Sequence, residues 1–171
     1  EKAADHRFRI EHAQHLHPMD IPRFAELNVI ASMQGIHFAS DRPWAIDRLG
    51  AMRIALGAYR WKQFLESGAL VINGTDAPVE PVDPLACYYT TVTRKTREGS
   101  AFEVDQRLSR EEALRTYTIY AAYGAFEEEK KGSIEPGKFA DFTILSQDIL
   151  KVPEDLILKT EVLATIVNGE I

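Results

Sequence analysis

The sequence predicts an α/β fold built on a parallel sheet. Short β-type segments alternate with helical segments along the first two-thirds of the chain, and this alternation is typical of parallel strands covered by helices. Each β-type segment also ends in polar residues of the kind that active sites use. The 171 residues, of which 45% are hydrophobic and 27% charged, are enough for one globular domain with a core.

Three β-type segments define the predicted sheet. Residues 7–13 are compatible with a short strand, residues 29–33 form an apolar run that predicts a buried strand, and residues 70–73 predict a third strand. Residues 18–27 predict a helix between the first two strands, because proline is tolerated near a helix start.

The segment before the third strand predicts less order. We expect an irregular stretch up to about Gly50 and then a helix over residues 55–67, which ends at Gly68.

After residue 83 the regular alternation of β-type and helical segments ends. Residues 84–93 predict a helix, and residues 94–106 are polar and typical of a loop. Ser109 followed by acidic residues predicts the start of a long helix that reaches about Glu129. Residues 139–145 and 162–168 predict short strands.

Composition excludes several classes of function. The net charge of −6 argues against a nucleic-acid partner, and the lack of an apolar run of about 18 residues argues against a membrane span. The single cysteine, Cys87, favours a reducing, cytoplasmic setting. Because the chain starts at Glu1 without a methionine and reaches a strand within a few residues, we expect it to be part of a longer polypeptide.

Polar clusters follow all three predicted strands. They contain His12, His37 and Asp76, respectively. Active sites of parallel α/β barrels form at the C-terminal ends of strands, and imidazole and carboxylate are ligands for zinc and similar ions. A single histidine at such a place is more often a hydrogen-bonded loop residue, and an aspartate after Gly-Thr can simply cap a turn. Spacing alone leaves both interpretations open.

Four segments resemble a known family. Residues 9–14 (RIEHAQ) resemble the sixth-strand segment of the amidohydrolase superfamily, in particular of its amidohydrolase-3 group. Residues 30–34 (IASMQ), followed by His37, resemble the seventh-strand segment, and residues 74–79 (GTDAPV) resemble the eighth. Residues 131–142 (KGSIEPGKFADF) are similar to the stretch where such enzymes return to a small β-sandwich. The four segments occur in the family's order, which makes the resemblance specific.

The resemblance implies a fold class and two domains. The fold is the C-terminal portion of a TIM-type (β/α)8 barrel, strands 6 to 8, plus part of a small β-sandwich. Residues 1–130 then belong to the barrel, and residues 131–171 return to the sandwich.

The resemblance also implies a metal-dependent hydrolase of carbon–nitrogen bonds in small amides or cyclic amides. His12 and Asp76 match positions that hold a divalent metal, for which we expect zinc, and Asp76 also matches the general base. His37 and Gln34 match positions that contact the substrate. We expect turn or supporting roles for His15 and His17.

Departures from the family pattern limit these expectations. The remaining metal ligands of the family would precede Glu1, so the chain alone should bind metal weakly and lack activity. Exposed sheet edges predict a homo-oligomer. Gly35 stands where proline is expected.

Two alternatives to the hydrolase remain open. One is a catalytically inactive fragment or binding module derived from such an enzyme, and the other is a metal-independent lyase or isomerase on a similar barrel.

Overall fold

The structure, a computed structural model, describes residues 5–96 and 98–171. Within them, strands β1 (Arg9–Glu11), β2 (Ile30–Met33) and β3 (Val71–Asn73) form a parallel sheet in the order β1-β2-β3. Strand β2 lies between the other two and is buried along its whole length. A strand that is buried along its whole length is typical of the middle of a parallel sheet. The α/β class and the three predicted strands are therefore confirmed. Glu1, where the sequence starts, lies outside the described residues.

Helices connect the three strands. Helix α1 (Ile21–Glu26) joins β1 to β2, as the sequence predicts. Between β2 and β3 lie α2 (Gly35–Leu49), α3 (Ala51–Gly57) and α4 (Trp61–Glu66).

The prediction of an irregular stretch up to Gly50 is wrong, because α2 occupies it. The segment begins with a glycine and contains Pro43 inside the helix, and both residues disfavour a helix locally. Its apolar residues Ile36, Phe38 and Ala45 are nevertheless buried, and α2 packs against α5. Burial of this face outweighs the weak local propensity.

The single helix predicted over residues 55–67 is also wrong. The chain leaves the helical conformation at Ala58 and Tyr59, which separates α3 from α4. There the Tyr59 backbone N–H donates to the Gln14 carbonyl at 2.8 Å, and Ala58 forms an antiparallel bridge with His15. These long-range backbone hydrogen bonds replace the helical ones.

The second half of the described chain begins with α5 (Pro84–Thr93) and a loop. The predicted N-cap at Ser109 is confirmed: its hydroxyl accepts from the Glu112 backbone N–H, and the Glu112 carboxylate accepts from the Ser109 N–H. The long helix predicted from this cap is interrupted at Thr118, so that α6 (Arg110–Tyr117) and α7 (Ile119–Gly124) replace it.

Strands β4 (Phe142–Leu145) and β5 (Val162–Ile166) form an antiparallel pair, as the two strand-like segments predict. Helix α8 (Glu154–Ile157) lies between them in sequence and packs against α5. Among the described helices, none has the length and apolar character needed to cross a membrane.

A buried cation lies among the aromatic residues of the core. The Arg94 guanidinium stacks over the rings of Phe38, at 4.0 Å, and Trp61, at 4.4 Å. Its Nη1 donates to the Tyr59 carbonyl at 3.0 Å. Burial lowers the pKa of Arg94 to about 9, which still leaves the side chain charged at neutral pH. The stacking and the carbonyl bond offset part of the cost of burying this charge.

Candidate metal centre

Three sequence-predicted residues come together at one edge of the parallel sheet. His12 directly follows β1, His37 lies in the first turn of α2 after β2, and Asp76 lies three residues beyond β3. One potential ligand atom from each side chain lies within 4.8 Å of the other two. The parallel topology explains this convergence, because the C-terminal ends of neighbouring parallel strands meet at the same edge.

Unusual backbone conformations support two of these residues. His12 and Asp76 have φ angles of 69° and 60°, and Ala13 next to His12 has a φ of 42°. Non-glycine residues rarely adopt positive φ, and such conformations are enriched at functional sites.

The first ring nitrogen of His12 is engaged by a neighbouring amide. His12 Nδ1 lies 3.0 Å from Gln34 Oε1. An amide oxygen only accepts hydrogen bonds, so Nδ1 donates, and the lone pair of the neutral ring lies on Nε2. A metal-binding histidine typically holds its second nitrogen in this way. The ring is half exposed, which leaves it accessible to an ion.

His37 is buried and differently arranged. Its Nδ1 lies 2.8 Å from Gln14 Nε2. Its Nε2 lies 3.3 Å from Asp76 Oδ2, but in the described part of the chain it makes no hydrogen bond of acceptable geometry. A buried polar atom without a partner is costly, so His37 Nε2 is an atom that a bound ligand would satisfy.

These side chains fit a divalent metal. Imidazole and carboxylate together form a ligand set that zinc commonly binds. The Asp76 carboxylate is about one-third exposed, so one of its oxygens can accept a proton or contact a water molecule. A centre of this composition can activate water for hydrolysis.

A further set of polar residues lies behind His37, and the sequence did not identify it. Gln14 Nε2 lies 3.3 Å from Asp41 Oδ2, and the Tyr59 hydroxyl donates to the same oxygen at 2.6 Å. Burial, and then the bond to Asp41, raise the pKa of Tyr59 well above its ordinary value, which keeps the hydroxyl a donor. Gln14 is part of the RIEHAQ segment, but no sequence pattern connects Asp41 with Tyr59.

The glycine that replaces the expected proline has a structural reason. A Cβ atom at Gly35 would lie 2.3 Å from Thr91 Oγ1 and 2.6 Å from the Cys87 carbonyl oxygen, both on α5. The Gly35 backbone N–H, which proline lacks, donates to Asn73 Oδ1 at 2.9 Å. This contact joins the start of α2, which carries His37, to the end of β3.

His15 and His17 lie outside this cluster. The His15 ring contacts the Tyr59 ring edge-on at 5.1 Å, and burial lowers its pKa. His17 Nδ1 accepts from the Met19 backbone N–H at 3.3 Å and caps a short 3-10 turn. Both therefore occupy the turn that leads away from His12.

Comparison with known proteins gives a consistent result. A family model described as the amidohydrolase family matches residues 1–171. The protein YtcJ of Bacillus subtilis (strain 168), provisionally named an amidohydrolase, is 37% identical over 166 residues, which are 95% of this chain and 31% of YtcJ. The N-substituted formamide deformylase of Arthrobacter pascens is 29% identical over 167 residues, which are 97% of this chain and 31% of the deformylase.

A solved structure shows the same similarity. The crystal structure of an uncharacterized metal-dependent hydrolase from Pyrococcus horikoshii OT3 superposes with a TM-score of 0.77 at 32% identity, covering 88% of this chain and 31% of that one. The chain thus spans less than one-third of the length of the two curated relatives described above.

Proposed function

This chain belongs to the amidohydrolase family, and from that premise we propose that the whole protein is a metal-dependent hydrolase of carbon–nitrogen bonds in small amides or cyclic amides. The observation that carries the proposal is the convergence of His12, His37 and Asp76 within 4.8 Å at the ends of three parallel strands. The similarity to a formamide deformylase supports a carbon–nitrogen bond as the one cleaved.

We propose the roles that the resemblance to the family implies, which the closeness of the three side chains supports. His12 and Asp76 would hold a divalent ion, and zinc suits this mixture of nitrogen and oxygen ligands. When bound, such an ion supplies Lewis acidity that activates water and polarises a carbonyl. The free oxygen of Asp76 accepts the proton of the attacking water and delivers it to the leaving nitrogen.

The remaining predicted residues would act on the substrate. His37 Nε2, buried and without a well-formed hydrogen bond, donates to the substrate oxygen as negative charge develops there. Gln34 bonds His12 through its amide oxygen, and its amide nitrogen is the group that we propose for substrate contact.

We propose that the fold is strands 6 to 8 of a TIM-type barrel together with part of a β-sandwich. Residues 1–130 would form the barrel part and residues 131–171 the sandwich part. The parallel sheet β1-β2-β3 and the separate antiparallel pair β4-β5 support this division. Zinc hydrolases commonly use three protein ligands, so further ligands would come from the part of the family length that this chain does not cover.

Three subsidiary proposals follow. The chain by itself would be inactive, because its site is incomplete. The open edges of the parallel sheet would favour self-association of the isolated chain, which light scattering tests: a monomer at micromolar concentration would contradict it. The buried free thiol of Cys87 suits a reducing cytoplasm.

The test of the function is an Asp76→Asn substitution in the whole protein, loaded with zinc. We expect hydrolysis of a panel of formamides, linear amides and cyclic amides to fall by about 10²–10⁴-fold, as for loss of a general base. Asp155→Asn, which removes an exposed carboxylate on α8, is the matched control and should leave turnover unchanged. Unchanged turnover in the Asp76 variant would refute the role of Asp76.

The same panel separates the alternatives. A binding module would turn over none of the amides even with zinc present. A metal-independent lyase or isomerase would keep its activity after chelation of the metal.

A further inference from the structure

Hydrogen bonds connect the side chains of Tyr59, Asp41, Gln14 and His37 in that order, and we call this series the path to His37. The Tyr59 hydroxyl donates to Asp41 Oδ2, Gln14 Nε2 contacts the same oxygen, and Gln14 Nε2 also contacts His37 Nδ1. We propose that Asp41, held by Tyr59 and acting through Gln14, fixes the tautomer of His37 so that Nε2 carries the proton and faces Asp76. The inference deepens the proposed function, because it explains how His37 becomes a donor.

The Asp41 carboxylate sets the orientation of the Gln14 amide. A carboxylate only accepts hydrogen bonds, so the Gln14 atom that faces it must be the amide nitrogen. Turning the Gln14 amide over would place its oxygen against the Asp41 carboxylate, which repels it. Asp41 therefore decides which end of the amide points inward.

The Gln14 amide in turn sets the position of the proton on the His37 imidazole. The amide nitrogen of Gln14 has two hydrogens, one for Asp41 at 3.3 Å and one for His37 Nδ1 at 2.8 Å. Because Nδ1 accepts, the neutral ring carries its proton on Nε2. This Nε2 lies 3.3 Å from Asp76 Oδ2.

His12 shows the opposite arrangement. Its Nδ1 faces an amide oxygen, that of Gln34, so Nδ1 is protonated and Nε2 has the lone pair. Two glutamines that present opposite ends of their amides thus give two neighbouring histidines opposite tautomers. His12 thereby keeps a lone pair on Nε2, and His37 is suited to donate a hydrogen bond.

The backbone holds the path together. The Tyr59 backbone N–H donates to the Gln14 carbonyl at 2.8 Å, so the two residues that bind Asp41 are also joined directly. The Tyr59 carbonyl accepts from Arg94 Nη1 at 3.0 Å. The Tyr59 ring is almost fully buried and contacts the Phe38 ring edge-on at 5.6 Å. The hydroxyl of Tyr59 therefore has little freedom to leave Asp41.

The test reads the tautomer directly in the metal-free chain. Histidines are labelled with ¹⁵N, and long-range ¹H–¹⁵N correlation spectra distinguish a protonated from an unprotonated ring nitrogen; a His37→Gln spectrum assigns the signals. We expect a protonated Nε2 on neutral His37. In Asp41→Asn, whose amide can donate to a turned Gln14, and in Gln14→Leu, we expect the tautomer ratio to change about three- to tenfold, the range for one hydrogen bond. Tyr59→Phe should change it in the same direction.

The matched control is Asp47→Asn, which removes an exposed carboxylate from the same helix α2. It should leave the His37 signals unchanged, and backbone amide spectra show whether each variant is folded. A wild-type ring protonated on Nδ1 would overturn the proposal. So would folded Asp41 and Gln14 variants that keep the wild-type tautomer. Because no metal or substrate is present, failure here is distinct from failure of the proposed hydrolysis.

Discussion

Gly57 and Leu16 approach each other so closely that a Cβ atom at position 57 would lie 1.9 Å from the Leu16 carbonyl oxygen. The Leu16 backbone N–H donates to the Gly57 carbonyl at 2.9 Å, next to the bond between Tyr59 and Gln14. The turn after His12 is therefore joined to the end of α3 by backbone atoms alone. This contact orients Gln14 and Tyr59 relative to each other.

The first prediction follows from that contact. Gly57→Ala should lower the free energy of unfolding by about 1–3 kcal/mol, because the added methyl group meets a backbone atom that cannot turn away. Urea unfolding followed by circular dichroism measures the change. Gly74→Ala is the control, since a Cβ there has no neighbour within 4 Å, and it should change stability by less than about 1 kcal/mol. Equal stability of the two variants would contradict the prediction.

The second prediction concerns Arg94. Arg94→Lys keeps the charge but loses the flat guanidinium that stacks on Phe38 and Trp61 and the fixed bond to the Tyr59 carbonyl. We expect the unfolding free energy to fall by about 2 kcal/mol or more, because a buried ammonium group would lack partners. Arg107→Lys, at an exposed position, should be neutral within about 0.5 kcal/mol. Chemical denaturation measures the free energy of unfolding of both variants. If this free energy is unchanged in the Arg94 variant, the stacking contributes nothing to stability.

Much of the fold was accessible from the sequence. The three parallel strands, α1, α5 and the cap at Ser109 all follow from local patterns. The sequence also placed His12, His37 and Asp76 at successive strand ends, and the structure brings them together. Local periodicity and capping chemistry carry this information, since neither depends on distant residues.

The elements that the sequence missed depend on distant contacts. Helix α2 forms despite Gly35 and Pro43 because its apolar face is buried. The helix predicted over residues 55–67 breaks because Tyr59 pairs with the backbone of Gln14, 45 positions earlier. The path from Tyr59 to His37 was missed for the same reason, since each of its hydrogen bonds joins residues that are at least 18 positions apart.

The third prediction is a pH dependence. The Glu112 carboxylate accepts from Lys62 Nζ at 2.7 Å and from the Ser109 N–H at 2.8 Å. Burial acts to raise its pKa, but these hydrogen bonds prevail and lower the pKa below the ordinary 4.5. A carboxyl group with a lowered pKa stabilises the fold above its unfolded pKa and loses this effect as the pH falls through the folded pKa.

Glu112→Gln should therefore be less stable than the wild type at pH 7, by about 0.5 kcal/mol for this partly exposed pair. The difference should shrink towards zero as the pH falls below 4.5. Unfolding curves at several pH values measure it, with the exposed Glu129→Gln as a control that shows no such difference. A gap that persists at low pH would mean that the effect does not arise from the carboxylate charge.

The fourth prediction tests the support of His12, the metal ligand that we propose. Gln34→Leu removes the oxygen that accepts from His12 Nδ1 at 3.0 Å. The ring is then free to rotate and to exchange tautomers, so zinc affinity should fall by about 10–100-fold, as for other residues that orient metal-binding histidines. Competition with a fluorescent zinc indicator measures the affinity in the whole protein.

Gln34→Glu is the matched variant, because it keeps an oxygen acceptor at the same place. It should preserve zinc affinity or raise it, since a carboxylate is a stronger acceptor for Nδ1–H and adds negative charge near the ion. Loss of affinity in the leucine variant with retention in the glutamate variant identifies the hydrogen bond as the cause. An equal loss in both would show that Gln34 acts by its shape, and the tautomer assigned to His12 would then lack support.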